Sequence, residues 1–231
     1  MIINKRRDCQ TCGIRNVTIL NNASSVLLEI INSKKYCLKY LRGEEIVKEG
    51  TPIEGVYIVS SGIVKIHKQG RHGRQFILRL ATTGSIIGLP MEENQKHDFT
   101  VTAVEDSNVC FVEHSDFKEA LRNFPELKDK LLEEFSRELK ETELRAISLA
   151  QLSVREKVAE SIHYLAKTYK INNRSGFYRV NVGRQDIAEF TGTTKEQVSK
   201  YYGEFESLDI IAAKGRLLHV KNMEKLEEIF H

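Results

Sequence analysis

Two short helical periods separated by Thr191-Gly192-Thr193 leave the segment Gly183 to Asp209, GRQDIAEFTGTTKEQVSKYYGEFESLD, few ways to fold. In the first period Ile187, Ala188 and Phe190 share one face. In the second, Val198, Tyr201, Tyr202 and Phe205 recur at helical spacing behind Thr193 and Thr194, both suited to cap a helix N-terminus. Between those apolar positions stand Lys195, Glu196, Ser199 and Lys200. A polar face at the start of a helix is what reading base edges in a major groove requires.

The flanks extend the pattern. Tyr178-Arg179-Val180-Asn181-Val182 reads as a strand before the first helix. After the second, Ile210-Ile211-Ala212-Ala213, a Lys214-Gly215 turn and Arg216-Leu217-Leu218-His219-Val220 read as a β-hairpin. Strand, helix, turn, helix and hairpin make a winged helix. The same order also suits a small α/β module that only packs, or a winged helix that contacts protein.

At 231 residues the chain can bury two modest cores. Charge discriminates little: the part from Ser153 onward holds 13 Lys/Arg against 11 Asp/Glu, and the part before it 22 against 21. Side-chain placement must therefore carry any nucleic-acid reading. The start MIINKRRDC has no apolar stretch behind its basic residues, and no run approaches the roughly 18 apolar residues of a membrane span. Four cysteines in a chain without an export signal favour thiols or metal ligands over structural disulfides. A cytoplasmic protein with no membrane partner is expected.

Residues 36–112 differ in texture. Val56-Tyr57-Ile58-Val59, Ile63-Val64-Lys65-Ile66, Phe76-Ile77-Leu78-Arg79-Leu80 and Val109-Cys110-Phe111-Val112 are strand candidates punctuated by glycines, which predicts a β-roll or jelly roll. Ser115–Asn123 reads as a short helix. Pro125 then suits the first position of a long helix reaching about Leu149. Within it Leu132, Phe135, Leu139, Thr142, Ala146 and Leu149 follow 3-4-3-4-3 spacing, a coiled-coil seam that predicts a parallel homodimer. Packing of the helix on its own barrel is the alternative for part of its length. Ser153-Val154-Arg155-Glu156 is a capping box opening a helix to about Thr168. The expected architecture is α+β. It comprises an N-terminal cysteine-containing segment at 1–20, a cyclic-nucleotide-binding-like β-roll at 21–122, a dimerisation helix at 123–152 and a winged helix-turn-helix at 153–231.

In that order, the parts resemble the CRP/FNR family of bacterial transcription regulators. The likeness rests on Leu41-Arg42-Gly43-Glu44-Glu45-Ile46 with Glu49-Gly50, on Gly55 to Lys65, on Ser153 to Ala159, and on Arg184 to Phe205. It implies a homodimer on a palindromic DNA operator, in contact with RNA polymerase. It also implies that Arg184, Gln185, Thr194, Gln197 and Arg216 hold phosphates, with Lys195 beside them on the same helix start. Glu196, Ser199 and Lys200 fall where the FNR branch carries a base-reading Glu, Ser and Arg. Lysine cannot make the planar bidentate contact of arginine, so the half-site preference is altered or relaxed. A Glu196–Lys200 intrahelical pair is a purely structural use of the same residues.

The resemblance also frames the signal. The family's cyclic-nucleotide pocket uses Gly-Glu for ribose and Arg-Ser for phosphate. Here Gly88-Leu89 and His97-Asp98 stand at those places, which disfavours cyclic AMP. An FNR-type iron–sulfur cluster needs Cys-x2-Cys-x5-Cys and a barrel cysteine. Cys9, Cys12 and Cys110 match, but Thr18 takes the third position, and Cys37 lies far along the chain, so this cofactor is disfavoured too. A Cys9-Cys12 redox dithiol or zinc site, and Cys110 as an ordinary core residue, are the competing readings. His67, His72, His97 and His114 have no ligand spacing and read as surface or turn histidines, which disfavours haem. The effector is left unidentified. An enzyme is not expected, because no nucleophile triad, phosphate loop or helical His pair is present. A redox- or oxygen-sensing regulator using Cys9, Cys12 and Cys110, and a cyclic-nucleotide-type regulatory module without DNA binding, remain as alternatives.

Overall fold

The structure, a computed structural model, describes residues 2–3, 8–70, 73–88, 95–172 and 179–231. Tyr178, His72 and Leu89, singled out above, lie outside the described residues. The fold is α+β, as expected, and its contacts gather into two compact units: Met1–Lys68 with Arg79–Leu139, and Gln69–Leu78 with Lys140–His231.

The first unit is a roll of two antiparallel sheets. The strands of the roll are β1 (Ile2–Ile3), β2 (Tyr36–Tyr40), β3 (Glu45–Val47), β4 (Gly55–Ser61), β5 (Val64–Gln69), β6 (Gln75–Ala81, whose residues up to Leu78 group with the second unit), β7 (Ile86–Ile87), β8 (Thr100–Ala103) and β9 (Ser107–Glu113). They form a five-stranded sheet in the order β1-β2-β9-β4-β7 and a four-stranded sheet in the order β3-β8-β5-β6. Side-chain alternation sorts residues between two cores. Leu38, Tyr40, Val59, Val64, Ile66, Val101 and Val109 fill the space between the sheets. Val56, Ile58 and Val112 point the other way and are covered by Leu27, Leu28 and Ile31 of α1 (Ser25–Lys34), Phe117 and Ala120 of α2 (His114–Asn123), and Leu127 and Leu131 of α3 (Pro125–Gln151). Ser24 caps α1 by accepting from the Leu27 amide.

Pro125 is the first residue of α3. Part of this helix packs on its own barrel through Leu127 and Leu131, but the seam does not. Leu132 is 63 % exposed, Phe135 37 % and Leu139 61 %. Thr142 and Ala146 are also exposed and Leu149 is half-buried. Leu144 and Ile147, off the seam's face, are exposed as well.

The second unit contains α4 (Val154–Asn172), β10 (Arg179–Asn181), α5 (Arg184–Thr191), α6 (Lys195–Ser207), β11 (Ile211–Lys214), β12 (Leu217–Val220) and α7 (Met223–Glu227). The capping box closes in both directions: the Ser153 amide donates to Glu156 Oε2 at 2.7 Å, and the Glu156 amide to Ser153 Oγ at 3.4 Å. α4 runs past Thr168, because Leu165, Ala166 and Tyr169 continue its buried face. The wing turn is Gly215-Arg216 rather than Lys214-Gly215. Lys214 already pairs with Leu217, and Gly215 takes the positive φ that opens the loop. Strand order is β10-β12-β11. Ile187, Ala188, Phe190, Val198, Tyr202 and Phe205 form the helix-turn-helix core. Tyr201 is only half-buried, which corrects its expected place on that face.

In this unit the guanidinium of Arg145, on α3, lies 3.6 Å from the Phe190 ring centroid. It donates to the carbonyls of Ile77 at 2.6 Å, Phe190 at 2.7 Å and Leu78. Burial pulls its pKa down to about 10, so it stays cationic at neutral pH.

Candidate functional site

The turn of the helix-turn-helix is set by Gly192, whose φ of 67° closes α5 in the left-handed region. Thr191 Oγ1 donates back to the Ile187 carbonyl at 2.8 Å, and the Thr193 amide donates to the Ala188 carbonyl at 3.1 Å. Thr194 then caps α6, its hydroxyl accepting from the Gln197 amide at 3.3 Å. With Val198, Tyr202 and Phe205 buried, helical geometry leaves Thr194, Lys195, Glu196, Gln197, Ser199 and Lys200 all exposed. Six polar side chains over the first two turns of one helix form a surface of donors and acceptors suited to a nucleic-acid groove.

The alternative Glu196–Lys200 intrahelical pair is not among the ion pairs of the described residues. Glu196 instead accepts hydrogen bonds at the helix start, from its own backbone and from Thr194, which lowers its carboxyl pKa and keeps it ionised. Lys200 reaches over the Tyr201 ring, 5.3 Å from its centroid. Ser199 Oγ donates to the Lys195 carbonyl at 2.9 Å.

The phosphate candidates are partly engaged. Arg184 lies 4.8 Å from the Tyr202 ring centroid and donates to the Gly215 carbonyl at 3.4 Å. Gln185 donates to Glu189 Oε1 at 3.1 Å. Arg216, at the wing tip, donates to Asp186 Oδ2 at 2.7 Å, and the same oxygen accepts from the Gly183 amide at 3.1 Å. Asp186 thus ties the wing to the N-terminus of α5, a role not read from the sequence. An acidic residue in a helix's first turn, three positions after a glycine, was the available signal.

In the barrel, a cavity of about 420 Å³ is lined by Glu45, Lys48, Glu54, Tyr57 and His97, among others. His97 is 4 % exposed and its Nδ1 has no hydrogen-bond partner. Burial lowers its pKa, so the imidazole is neutral at neutral pH, with Asp98 and Glu54 opposing the shift. Asp98 pairs with Lys68 at 3.7 Å. The neutral imidazole of His97 and the carboxylate of Asp98 bring no positive charge to the place where the resemblance puts a phosphate-binding Arg-Ser pair. His67 is also buried, bonded to Thr102 Oγ1 at 2.9 Å. Neither His67 nor His97 is the surface or turn residue expected. Both sit on strands or strand approaches whose alternation turns them inward.

Cys9 is buried, with its amide held by Asn32 Oδ1 at 3.1 Å, and Cys12 is half-buried. Thr18 does not present its hydroxyl to them: Oγ1 donates to the Arg15 carbonyl at 2.9 Å and accepts from the Leu20 amide at 3.1 Å. The three-plus-one cysteine pattern of an FNR-type cluster is therefore not met at its third place. Cys110 is half-buried on β9 and packs against the outer core. Cys37, too far along the chain to take the place of Thr18, lies directly opposite Cys110 in the β2–β9 pairing.

An exposed recognition face on a winged helix, below a β-roll and a long helix in the chain, defines a DNA-binding regulator with a sensor-type barrel. The Cyclic nucleotide-binding domain family matches residues 37–124, and the Crp-like helix-turn-helix domain family matches residues 156–229. The chain is 24 % identical over 225 residues to the anaerobic regulatory protein of Haemophilus influenzae, covering 96 % of this chain and 87 % of the relative. It is 24 % identical over 228 residues to the fumarate and nitrate reduction regulatory protein of Vibrio cholerae, covering 96 % and 89 %. The structure of FixK2 from Bradyrhizobium japonicum superposes with a TM-score of 0.73 at 25 % identity, covering 85 % of this chain and 98 % of that one. The chain belongs to the CRP/FNR family of DNA-binding transcription regulators.

Proposed function

We propose that the chain works as a homodimer that sets two copies of α6 into adjacent major grooves of one palindromic operator. The observation that carries this reading is the unbroken polar exposure of Thr194 to Gln197, Ser199 and Lys200 on a helix whose opposite face is buried. The exposed leucines of α3 supply the second half of the argument. Leu132, Phe135 and Leu139 at coiled-coil spacing are costly in water and are covered by a second copy of the same helix. Glu196 accepts from a cytosine amino group, Lys200 donates to guanine, and Arg184, Gln185, Thr194, Lys195, Gln197 and Arg216 address phosphates. Arg216 can do so while bonded to Asp186, since 45 % of its side chain is exposed. RNA polymerase is the expected protein partner, and the cytoplasm the expected location. Among the described residues no helix is long and apolar enough to cross a membrane.

Selection of bound duplexes from a random pool tests this directly. The expected product is a two-fold-symmetric sequence whose affinity falls steeply with salt, as phosphate contacts demand. Recovery of no duplex, with the folded protein indifferent to salt, would instead leave a barrel-type regulatory module without DNA binding. Cys9, Cys12 and Cys110 line one small cavity, which favours a second element of the reading, a redox-responsive sensor that uses cysteine rather than a cyclic nucleotide.

A further inference from the structure

Two consecutive lysines at the end of α1 turn opposite ways. Lys34 turns outward and pairs with Asp116 at 3.0 Å. Lys35, one residue past the helix, turns inward until only 2 % of it is exposed. Lysine is almost never buried this far unless a partner offsets its charge. Here Nζ donates to Cys9 Sγ at 3.0 Å, across 26 positions of the chain. A thiol is a weak acceptor, so this bond offsets little of the cost of burying an ammonium. The backbone nevertheless holds the two residues together. The Cys9 amide donates to Asn32 Oδ1 at 3.1 Å and the Lys35 amide to the Ile31 carbonyl at 3.0 Å, so both are tied to α1.

Beside the sulfur lies a cavity of about 40 Å³, lined by Cys9, Lys35, Thr18, Leu20 and Ile58 among others. That space holds a molecule the size of water or hydrogen peroxide. Burial raises the Cys9 pKa, and the bond from Lys35 opposes it by favouring the thiolate, the form that peroxides oxidise. For Lys35, burial pulls the pKa down and the bond to Cys9, with the other thiols nearby, outweighs it. A sulfur converted to a neutral sulfenic acid no longer gives that support, and burial then favours the free amine, a nucleophile. Sulfenic acids condense with a neighbouring thiol or nitrogen, and the atom already held against Cys9 Sγ is a nitrogen.

We propose that Cys9 and Lys35 are a modification site, in which a peroxide oxidises Cys9 and Lys35 captures the product as a reversible sulfenamide between Sγ and Nζ. This deepens the redox-responsive reading given above and rests on it for a regulatory role, although the bond itself needs no DNA. In the first step the thiol and hydrogen peroxide give the sulfenic acid and one water. In the second, the ammonium releases a proton to solvent and the amine attacks sulfur. The S–N bond forms as the S–O bond breaks, and the departing hydroxyl leaves as water with a second proton from nitrogen. Sulfur loses two electrons and the peroxide gains them. A dithiol reverses the change: it is oxidised to a disulfide and returns thiol and amine.

The test treats the full, reduced chain with dilute hydrogen peroxide and follows intact mass, thiol count and peptide mapping. Expected are a product about 2 Da lighter, loss of one of the four thiols, and failure of trypsin to cut after Lys35, all reversed by dithiothreitol. A disulfide has the same mass but consumes two thiols and leaves Lys35 cleavable; that result overturns the proposal. So does a sulfinic acid at Cys9, about 32 Da heavier, with no crosslink. Neither readout needs a variant to fold. Lys35→Arg keeps the positive charge but not the nucleophilic amine, so it should lose the crosslink and let Cys9 run on to the sulfinic acid. Cys12→Ser should crosslink as the parent does, and loss of the product there would assign the chemistry to a Cys9–Cys12 disulfide instead. Operator affinity of reduced and oxidised protein separates the two claims. Unchanged affinity in crosslinked protein removes the sensor role and leaves the bond standing, whereas peroxide-sensitive affinity without the crosslink keeps redox sensing and sinks the bond.

Discussion

Replacing Leu139 by glutamate probes the dimer seam at a point where the single chain has nothing to lose. Leu139 is 61 % exposed, and complete burial of a leucine is worth about 1.5–3 kcal/mol, so covering the exposed part contributes about 1–2 kcal/mol per protomer. Two-fold symmetry counts it twice, for about 2–4 kcal/mol, or roughly 30- to 700-fold in the dimer dissociation constant. Two carboxylates facing each other across the seam add roughly 1–3 kcal/mol of repulsion. The expected outcome is at least about a 100-fold weaker dimer by sedimentation velocity. The unfolding midpoint measured at monomeric concentrations should be unchanged, because the side chain packs little within its own chain. Operator affinity, measured by fluorescence anisotropy at one salt concentration, should fall in parallel. A dimer constant within about threefold of the original would refute the seam and, with it, the spacing of the two recognition helices.

Glu196→Ala should relax the preference at one base pair of each half-site by roughly 10- to 100-fold while leaving other positions intact, as read by competition between singly substituted operators. An unchanged preference would confine Glu196 to its bonds at the start of α6. Arg145→Met keeps the aliphatic stem but abandons the carbonyls of Ile77, Leu78 and Phe190. It should cost about 2–4 kcal/mol in denaturant unfolding, and a midpoint equal to that of the parent would show those bonds to be dispensable. For His97, burial holds the folded pKa below the ordinary 6.5. The unfolded chain therefore binds the proton first, and the contribution to stability is full above that value and lost as pH falls through it toward the folded pKa. His163, also lowered by burial, acts with the same sign. The expected result is a smaller acid-induced drop in melting temperature for His97→Gln than for the parent. Equal drops would place the titration elsewhere.

The helix-turn-helix was legible because its determinants are local. Periodicity assigns Ile187, Ala188, Phe190, Val198, Tyr202 and Phe205 to one interior, and the glycine between the two periods needs no distant partner. The capping box at Ser153 and the proline that opens α3 are equally local, and both stand where expected. The shared face of Leu132, Phe135 and Leu139 on α3 too follows from spacing alone, since residues three and four apart share a helix face wherever the helix goes.

Side-chain partners across strands and loops were not legible. Asp186 drew Arg216 to itself only because the wing folds back onto α5, and Lys200 chose the Tyr201 ring over Glu196. The inward turn of His67 and His97 is not local either, because it depends on strand pairing with segments far away in the chain. Cys37 shows this most clearly. Its place in the chain sets it far from the position of Thr18 and gives no sign of Cys110, whereas the antiparallel pairing of β2 with β9 makes Cys37 and Cys110 neighbours. Amino-acid order alone determined which elements form and which helix faces are polar, because those properties are set within a few residues. Only the tertiary structure decided which thiols, imidazoles and charges meet, because strand pairing joins residues whose separation along the chain carries no record of their contact.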